Sequence, residues 1–493
     1  MLRKLIPCIT LLIIGLLPAG SVQSQTAYNN DQAFLPQDYL PASFHAGRRA
    51  ALRDMMPANS VFAVFAFPTR TFSNDVEYLY HANPDLYYFS GYKEPHAVLL
   101  VFKEEQTDSA GNHFNELLYV QKRNAQAEQW TGKRLGTEGA IGKLGFQNAL
   151  NGEEFKNLKL DFSHFDKIIY DRFPADIANS NDKADLFDLI QVFKQKAAIP
   201  ESGPAQAKFD TRAYRDITSR LRQIKTPEEK DLLRKAIEIS CQGQNEVMKT
   251  LRPDMSELEI QGLHEYVHKK YGAEEVGYGS IIGAGENGCI LHYMENSKTQ
   301  VGNTTLLMDV GAEYHGYTAD VTRTVPSKGK FSEEEKQIYQ LVYDAQEAAF
   351  KTLKDGSSWA DATNAAREVI ANGLLNLGII KDKKEVSKYF PHGLGHHIGL
   401  DVHDRGLYDK LQKDMVITIE PGIYIPSGSN CDRKWWSIGV RIEDDLLITQ
   451  DGYELLSHFA PRKIEDIEKM MAQKSVLDAY VLPPLESSKK KGF

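Results

Sequence analysis

The pattern of apolar and polar positions divides the chain into two regions. In the first, from Phe44 to about Lys196, short apolar runs such as residues 61–67 and 97–102 alternate with segments of helical spacing. Continuous apolar runs of this length are typical of strands that are buried on both faces. The pattern predicts a small α/β domain. A polar stretch with two prolines at residues 199–204 predicts its boundary.

The second region shows the same order of elements twice. Each half begins with a capping box, Thr226-Pro-Glu-Glu229 or Ser332-Glu-Glu-Glu335, which predicts the start of a helix. A second helix, a glycine-rich loop and apolar strands follow in both halves. The predicted second helices cover residues 256–271 and 360–377, and the predicted strands cover residues 305–309, 317–321, 415–420 and 439–443. The architecture repeats without an obvious repeat of residues.

The first 24 residues have the pattern of an export signal. Arg3 and Lys4 precede an apolar run over residues 5–17, and the small residues at 22–24 fit a cleavage site. A membrane anchor is the alternative, but about 13 apolar residues are too few to cross a bilayer, which needs ~20. We therefore expect a cleaved signal at residues 1–24 and an exported protein, periplasmic or secreted, without a stable membrane anchor.

Composition and charge narrow the class of protein. The chain of 493 residues is too long to fold around a single hydrophobic core of ordinary size. Its content of 42% hydrophobic and 25% charged residues is usual for a globular protein. A net charge of -9 and the lack of a basic stripe in the sequence exclude a nucleic-acid surface. Removal of the signal would leave Cys241, Cys289 and Cys431, an odd and widely spaced set that predicts no disulfide framework.

Four carboxylates interrupt the predicted apolar strands of the second region. They are Asp309 and Asp320 in the first half and Glu420 and Glu443 in the second. An uncompensated buried carboxylate is costly, so four of them require cations. Any one of them alone is equally well explained as a strand-end carboxylate with a backbone or arginine partner. Four together, beside a histidine-rich loop and in two matching halves, favour a metal centre.

Strand geometry is expected to bring these carboxylates together. If the first hairpin turns at residues 314–315, Asp309 lies directly opposite Asp320, and such residues share one face with Cβ atoms roughly 5 Å apart. Arg441 and Glu443 are two residues apart and therefore point to the same side of their strand. Each half thus contributes charged side chains to one face.

The ligand types also predict the kind of metal. Two divalent ions would balance four carboxylates in charge, and a site rich in oxygen suits Mn(II), Fe(II) or Co(II) better than a closed structural zinc site does. Two such ions ~3.5–4 Å apart hold a bridging water, lower its pKa and polarise a substrate carbonyl, which is the two-metal route to hydrolysis. The loop at residues 392–404 contains four histidines, and the residues alone leave open how many of them bind metal.

Five short motifs resemble, in order, the ligand signature of the pita-bread (M24) metallopeptidases. They are MDVGAEYHGYTAD with Asp309, TADVTRT with Asp320, HGLGH with His396, TIEPGIY with Glu420 and GVRIEDD with Glu443. The resemblance covers about residues 215–465. Upstream, residues 83–99 and 128–136 resemble the creatinase-type domain that precedes the catalytic domain in some members, whereas methionine aminopeptidases usually lack it.

Within this family the chain most resembles aminopeptidase P, the Xaa-Pro aminopeptidase, followed by Xaa-Pro dipeptidase (prolidase). The resemblance implies an α/β (α+β) protein in which a creatinase-type α/β domain is followed by a pita-bread catalytic domain with a pseudo-twofold repeat. The implied parts are a signal peptide, an N-terminal domain, a catalytic domain and a C-terminal tail, at residues 1–24, 25–205, 215–465 and 466–493.

The resemblance also implies the metal ligands and the general base. The implied ligands of two divalent ions are Asp309, Asp320, His396, Glu420 and Glu443. The ions are commonly manganese, with Co(II), Fe(II) or Zn(II) as alternatives. Glu420 would also act as the general base toward the bridging water. His397, at a position that is often aromatic in relatives, is expected to be a packing or surface residue.

The same resemblance implies roles toward the substrate. His292 and His403 would bind the scissile carbonyl and stabilise its tetrahedral intermediate. The implied pocket for the proline ring is formed by Tyr278, His392 and Arg441. Tyr424 would assist proton transfer beside Arg441 and Asp309.

These expectations lead to one function and two alternatives. The first is a dinuclear-metal Xaa-Pro aminopeptidase that removes the residue before a proline in second position. The alternatives are a prolidase acting on dipeptides and a non-catalytic pita-bread module that binds peptides, which the intact set of five ligands disfavours. The expected partners are peptides with proline in second position. The sequence leaves open whether the chain forms a homo-oligomer.

Overall fold

The computed structural model describes residues 38–108, 111–200, 204–480 and 482–483. The predicted export signal at residues 1–24 lies outside the described residues. The described residues from Leu40 onward form one structural unit, which contains both regions of the sequence pattern. Among the described helices, none combines the length and the apolarity that a membrane span requires.

The first region folds around a five-stranded mixed sheet. Its strands lie in the order Ala149–Asn151, His113–Val120, Val98–Thr107, Ser60–Phe65 and Lys167–Tyr170. Its helices are Ala42–Met55, Pro84–Ser90, Ala125–Thr131, Gly136–Gly142 and Leu186–Ala197, and a small hairpin joins Thr71–Ser73 to Val76–Glu77. Ser60–Phe65 is antiparallel to Val98–Thr107 and parallel to Lys167–Tyr170. All of Ser60–Phe65 and the first five residues of Val98–Thr107 are buried, which confirms the two strands expected from the apolar runs.

Helix Thr211–Gln223 connects the two regions. Its N-cap Asp210 accepts a hydrogen bond from the backbone N–H of Ala213 (2.8 Å). The next helix, Pro227–Thr250, begins four residues after it ends. The end of the connecting helix is buried, and Arg222 is only 1% exposed there.

The second region has two helices and several short strands in each half. Its helices are Pro227–Thr250, Glu257–Lys270, Glu333–Phe350 and Trp359–Asn376, followed by Ile464–Met471. The strands of the first half are Glu275–Val276, Ile281–Ala284, Thr305–Val310, Ala312–Tyr314, Tyr317–Thr318 and Val321–Pro326. Those of the second half are Val416–Ile419, Gly422–Ile425, Ile438–Arg441, Asp444–Ile448 and Tyr453–Leu455. Thr305–Val310 and Asp444–Ile448 are the central strands of two three-stranded sheets.

Both predicted capping boxes are present. Thr226 Oγ1 accepts from the N–H of Glu229 (3.4 Å), and the Glu229 carboxylate accepts from the N–H of Thr226 (2.9 Å). Ser332 and Glu335 make the same reciprocal pair at 3.2 and 2.7 Å. The second helices, Glu257–Lys270 and Trp359–Asn376, also lie where helical spacing predicted them.

Two buried glutamines occupy matching positions in the two halves. Gln244 and Gln346 lie on the first helix of each half, and the Nε2 group of each donates to two strand carbonyls. The acceptors are Met308 (3.0 Å) and Val321 (2.8 Å) for Gln244, and Ile419 (2.9 Å) and Ile442 (3.1 Å) for Gln346. Each acceptor is the sequence neighbour of one of the four carboxylates. Only Asp309 lies within a strand, as predicted; Asp320, Glu420 and Glu443 lie in the short breaks between strands. The pseudo-twofold repeat therefore holds the carboxylate-bearing segments of both halves through an equivalent glutamine.

The first hairpin turns one residue later than predicted. Its turn is His315-Gly316, with positive φ of 53° and 87°, which suits a two-residue hairpin turn. Asp309 therefore pairs with Thr322, and the prediction that it lies directly opposite Asp320 is wrong. A shift of two residues keeps the same face, so Asp320 is a diagonal rather than a direct neighbour of Asp309.

Candidate active site

A cavity of ≈ 500 Å³ is lined by strand ends from both halves and by the histidine-rich loop. Ten of the eleven residues expected in the site line it: Tyr278, His292, Asp309, Asp320, His392, His396, His403, Glu420, Arg441 and Glu443. The eleventh, Tyr424, is buried behind the wall and contacts His392 and Arg441. The structure thus brings together all the residues that the sequence selected.

The five expected metal ligands form one cluster. His396 Nε2 lies 3.4 Å from Asp320 Oδ2, 3.6 Å from Glu420 Oε1 and 3.9 Å from Glu443 Oε1. Ligand atoms of Asp320, His396 and Glu443 all lie within 4.8 Å of one another. Asp309 joins the cluster through Tyr278, whose Oη lies 2.6 Å from Oδ1 of both aspartates.

Burial and mutual repulsion act on these carboxylates. Burial raises the pKa of Asp320 and of Glu443 well above the usual value, and the neighbouring carboxylates raise it further. Burial also raises the pKa of Glu420 to about 7. The pKa of Asp309 is lowered despite burial, because Arg441 lies beside it. Arg441 is the only arginine or lysine among the described residues that line the cavity, so the cluster has an excess of negative charge.

The donor set fits divalent metal ions. Glu443 Oε1 is buried and lacks a hydrogen-bond partner in the described part of the chain, which is unusual for a carboxylate oxygen. Four carboxylates and one imidazole supply many oxygen ligands and little nitrogen, as sites for Mn(II), Fe(II) or Co(II) do. Cations at these oxygens would compensate the charge that burial and repulsion disfavour.

A hydrogen-bonded chain leads from Asp309 to the cavity wall. Arg441 donates from Nη2 to Asp309 Oδ2 (2.5 Å) and from Nη1 to Tyr424 Oη (2.9 Å). Tyr424 Oη lies 2.8 Å from His392 Nε2, and His392 Nδ1 lies 2.7 Å from the carbonyl of Gly393. The carbonyl requires a proton on Nδ1, so Tyr424 donates to Nε2. Burial, followed by the Arg441 charge, lowers the pKa of His392 to about 4, which keeps the ring neutral.

His292 and His403 line the cavity beside the ligand cluster. The ring centroid of His403 lies 4.2 Å from that of His396, edge to face. Burial lowers the pKa of His403, and the nearby rings of His396 and His292 lower it further. A neutral imidazole keeps one N–H donor, so His403 can donate to an oxygen that gains negative charge in the cavity.

Two threonines that the sequence reasoning missed hold ligands in place. Thr322 Oγ1 donates to Glu443 Oε2 (2.6 Å), and Thr418 Oγ1 accepts from the backbone N–H of His396 (3.1 Å). Each threonine is two residues from a ligand, Asp320 or Glu420, as expected for the same face of a strand. That spacing is a signal in the sequence that could have identified both.

His397 packs against aromatic rings and does not line the cavity. Its Nε2 lies 3.0 Å from the carbonyl of Leu407, and its ring lies 5.4 Å from Trp359 and 5.1 Å from Tyr408. Burial lowers its pKa to about 4. His397 was expected to be a packing or surface residue, and the structure shows that it is a packing residue.

Comparison with known families and proteins gives a consistent result. Residues 231–450 match the model of metallopeptidase family M24, and residues 45–168 match the N-terminal domain of aminopeptidase P. The Xaa-Pro aminopeptidase of Escherichia coli K12 is 35% identical over 437 residues, covering 86% of this chain and 96% of that protein. The chain belongs to metallopeptidase family M24. Within it, the sequence is also 31% identical to human Xaa-Pro aminopeptidase 3, over 84% of this chain and 81% of that protein.

Solved structures of this M24 group confirm the predicted fold class. Escherichia coli aminopeptidase P with the inhibitor Pro-Leu superposes with a TM-score of 0.77 at 33% identity, covering 88% of this chain and 98% of that one. The aminopeptidase PepP of Pseudomonas aeruginosa gives a TM-score of 0.76 at the same identity and coverage. The chain therefore has an aminopeptidase P N-terminal domain followed by a pita-bread domain. Both matched ranges fall inside the predicted domains, whose outer bounds stay predictions.

Proposed function

We propose that the protein is an Xaa-Pro aminopeptidase that hydrolyses the bond between the first residue of a peptide and a proline in second position. One observation carries the proposal. The cluster of four carboxylates and His396 lies at the same cavity as the hydrogen-bonded side chains of Arg441, Tyr424 and His392. The identity of 35% to an Xaa-Pro aminopeptidase over most of both chains supports the same conclusion.

Two divalent ions would be held by the five clustered ligands, Asp309, Asp320, His396, Glu420 and Glu443. We propose Mn(II), because oxygen ligands predominate in this set. When bound, the ions supply a water of lowered pKa and polarise the substrate carbonyl. Thr322 and Thr418 keep the ligands oriented through their hydrogen bonds to Glu443 and His396.

Glu420 is the proposed general base. Its Oε1 lies 3.6 Å from His396 Nε2 and its Oε2 lies 3.7 Å from His392 Nδ1, so it stands between the metal-ligand cluster and the proposed proline pocket. A carboxylate there can take the proton of the attacking water and pass it to the leaving nitrogen. Tyr424, whose hydroxyl lies between His392 Nε2 and Arg441 Nη1, would assist this proton transfer.

Proline specificity follows from the shape and polarity of the cavity. The X-Pro bond has no N–H, and its rigid ring requires a fitted pocket. Tyr278, His392 and Arg441 are the proposed walls of that pocket, and all three are held by hydrogen bonds. His292 and His403 would donate to the scissile carbonyl as its oxygen gains charge.

A substrate panel distinguishes this proposal from its alternatives. The protein, loaded with Mn(II), is offered Xaa-Pro-Yaa tripeptides, matched Xaa-Ala-Yaa tripeptides and Xaa-Pro dipeptides, and release of the first residue is measured. We expect release from Xaa-Pro-Yaa and little from Xaa-Ala-Yaa. Cleavage confined to the dipeptides would instead identify a prolidase. A protein that binds no divalent ion and cleaves none of these peptides would be a binding module.

We also propose that the protein is exported, periplasmic or secreted. Support comes from Arg3 and Lys4 before the apolar run at residues 5–17 and the small residues at 22–24. N-terminal sequencing of the protein recovered from each cell fraction tests this. We expect a mature chain that begins near residue 25 outside the cytoplasm, and an unprocessed cytoplasmic chain would contradict the proposal.

A further inference from the structure

A second group of charged residues lies outside the cavity and is centred on the buried Arg222. We call it the Arg222 cluster, and its members are Asp85, Asp171, Arg222, Lys225, Asp401, Asp404 and Arg405. Arg222 Nη1 donates to Asp85 Oδ1 (2.7 Å), and Nη2 donates to Asp401 Oδ2 (3.1 Å) and to Asp404 Oδ1. Side chains of Asp85, Arg222 and Asp404 are each only 2% exposed.

The cluster joins three parts of the fold. Asp85 lies on helix Pro84–Ser90 of the N-terminal domain, and Arg222 lies near the end of the connecting helix Thr211–Gln223. Asp404 belongs to the histidine-rich loop. Asp85 Oδ2 also accepts from Tyr214 Oη (3.0 Å) and lies 3.1 Å from Arg405 Nε. One carboxylate of the N-terminal domain is therefore bound from the connecting helix and from the loop.

Asp404 fixes the end of the loop that carries His403. Lys225 Nζ donates to its Oδ2 (2.7 Å), and its backbone N–H donates to the carbonyl of His397 (2.9 Å). The carbonyl of Gly399 accepts from the N–H of Thr318 (2.9 Å), two residues before Asp320. Burial would raise the pKa of Asp404, but Arg222 and Lys225 hold it below the usual value.

His403 is the sequence neighbour of Asp404 and lines the active-site cavity. Its ring makes no hydrogen bond to any residue in the described ranges, although it lies edge to face with the His396 ring. The position of the His403 ring is therefore set by its backbone, and that backbone is anchored through Asp404. We infer that the Arg222 cluster positions His403 for catalysis, so that the N-terminal domain acts on the reaction through Asp85 and Arg222.

This inference rests on the proposed function, in which His403 binds the scissile carbonyl. Asp85 and Arg222 are positioning residues, since neither lines the cavity. Asp85→Asn is the suitable variant, because it keeps the shape and an acceptor for Arg222. The cluster contains three basic and four acidic residues, so this change leaves its charges equal and no lysine or arginine without a carboxylate.

A double-mutant cycle separates positioning from general stability. Values of kcat and KM for an Xaa-Pro-Yaa peptide are measured for the Mn(II)-loaded wild type, Asp85→Asn, His403→Ala and the double variant. We expect Asp85→Asn alone to lower kcat about tenfold or more, as misplacement of a catalytic group does. In the His403→Ala background the same change should alter kcat less than about twofold. An equal loss in both backgrounds, or no loss in either, would overturn the inference.

Glu116→Gln is the matched control. Glu116 forms a bidentate ion pair with Arg49 at 2.9 and 2.8 Å, within the N-terminal domain and with side chains 13% and 2% exposed. Loss of this pair destabilises the same domain without touching the histidine-rich loop. We expect kcat to change less than about twofold in both backgrounds. If Glu116→Gln lowered kcat as much as Asp85→Asn does, and only when His403 is present, the route through the Arg222 cluster would be contradicted.

A second readout does not depend on activity. Histidine ring signals are recorded by NMR for the protein loaded with diamagnetic Zn(II), and His403 is assigned from the His403→Ala spectrum. Asp85→Asn should shift the His403 signal and leave that of exposed His458 unchanged. An unchanged His403 signal refutes the inference. If the wild type cleaves no peptide but the signal shifts, the proposed function fails while the positioning route stands.

Discussion

Glu420 and Tyr424 carry the most specific roles at the scale of single residues. Both lie in motif TIEPGIY, four residues apart, on either side of the turn that begins strand Gly422–Ile425. Glu420 belongs to the ligand cluster and lines the cavity. Tyr424 lies behind the cavity wall, where its hydroxyl contacts His392 and Arg441. One short segment thus supplies the proposed base and the hydroxyl that is proposed to assist its proton transfer.

Glu420→Ala should lower kcat at least about 10³-fold, because it removes a ligand and the base together. Steady-state assays on an Xaa-Pro-Yaa peptide, with bound metal counted for each sample, measure the effect. Glu333→Ala is the control, since Glu333 is 80% exposed at its side chain on the helix Glu333–Phe350. Near-normal turnover in Glu420→Ala would refute the assigned base.

Tyr424→Phe should lower kcat about 10- to 100-fold with little change in metal content, since it removes only the hydroxyl that links His392 to Arg441. Tyr339→Phe is matched to it: Tyr339 is also buried, and its hydroxyl donates to the carbonyl of Arg462 (2.7 Å) away from the cavity. Each variant should lose about 1 kcal/mol of unfolding free energy. Equal kcat values for the two would mean that the Tyr424 hydroxyl has no part in proton transfer.

Sequence reasoning selected residues that the structure brings together in one cavity, because motifs around Asp309, His396 and Glu420 resemble a known family. It missed Thr322 and Thr418, which touch ligands rather than bind metal, because a threonine in a strand is common and carries no motif of its own. Only the two-residue spacing from a ligand, combined with the three-dimensional contact, identifies them.

At the scale of elements, local sequence signals predicted the helices correctly but gave the wrong strand register for the first hairpin. Capping boxes and helical spacing act within a few residues, so helices such as Pro227–Thr250 and Glu333–Phe350 begin where the sequence places them. The hairpin register depends on the turn, and His315 adopts positive φ beside Gly316, which favours a turn one residue later. A non-glycine residue with positive φ is not evident from its type.

Gln346→Leu should weaken the second half of the site. The change removes the donor to the carbonyls of Ile419 and Ile442, which precede Glu420 and Glu443. It also removes the donor to Asp444 Oδ2 (3.0 Å) and the acceptor of Arg462 Nη1 (2.8 Å). Loss of these buried hydrogen bonds should cost about 2–4 kcal/mol of unfolding free energy, measured in urea, and Mn(II) affinity should fall. Gln340→Leu, an exposed position on the same helix, should change stability by less than about 0.5 kcal/mol. Unchanged metal affinity in Gln346→Leu would mean that the glutamine does not hold the ligands.

Helix Glu257–Lys270 should make the protein sensitive to acid. Burial, followed by the Lys269 charge, lowers the pKa of His268 to about 4, below the unfolded value of about 6.5. As the pH decreases below 6.5, His268 binds a proton in the unfolded chain but not in the folded protein. The free energy of unfolding therefore decreases until about pH 4, below which it is constant. The loss from pH 7 to pH 5 should reach about 2 kcal/mol. His268→Leu should remove that part of the pH dependence of urea unfolding, and an unaltered slope would contradict this.

At the scale of the whole molecule, the site depends on contacts between distant parts of the sequence. Asp309 and Arg441 are 132 residues apart, and Arg222 is separated from Asp85 by 137 and from Asp404 by 182 residues. Sequence patterns predicted each half and each domain but could not show how they meet. The resemblance to a family supplied the pairing of the halves, whereas the Arg222 cluster became visible only in the structure.

The central claim is that the five-ligand cluster makes this chain a two-metal Xaa-Pro aminopeptidase. The most direct measurement is a titration of the metal-free protein with Mn(II) while release of the first residue from an Xaa-Pro-Yaa peptide is followed. We expect no release without metal, and activity that rises until two ions are bound per chain. Full activity in the presence of a strong chelator, or activity that never appears at any Mn(II) concentration, would contradict the claim.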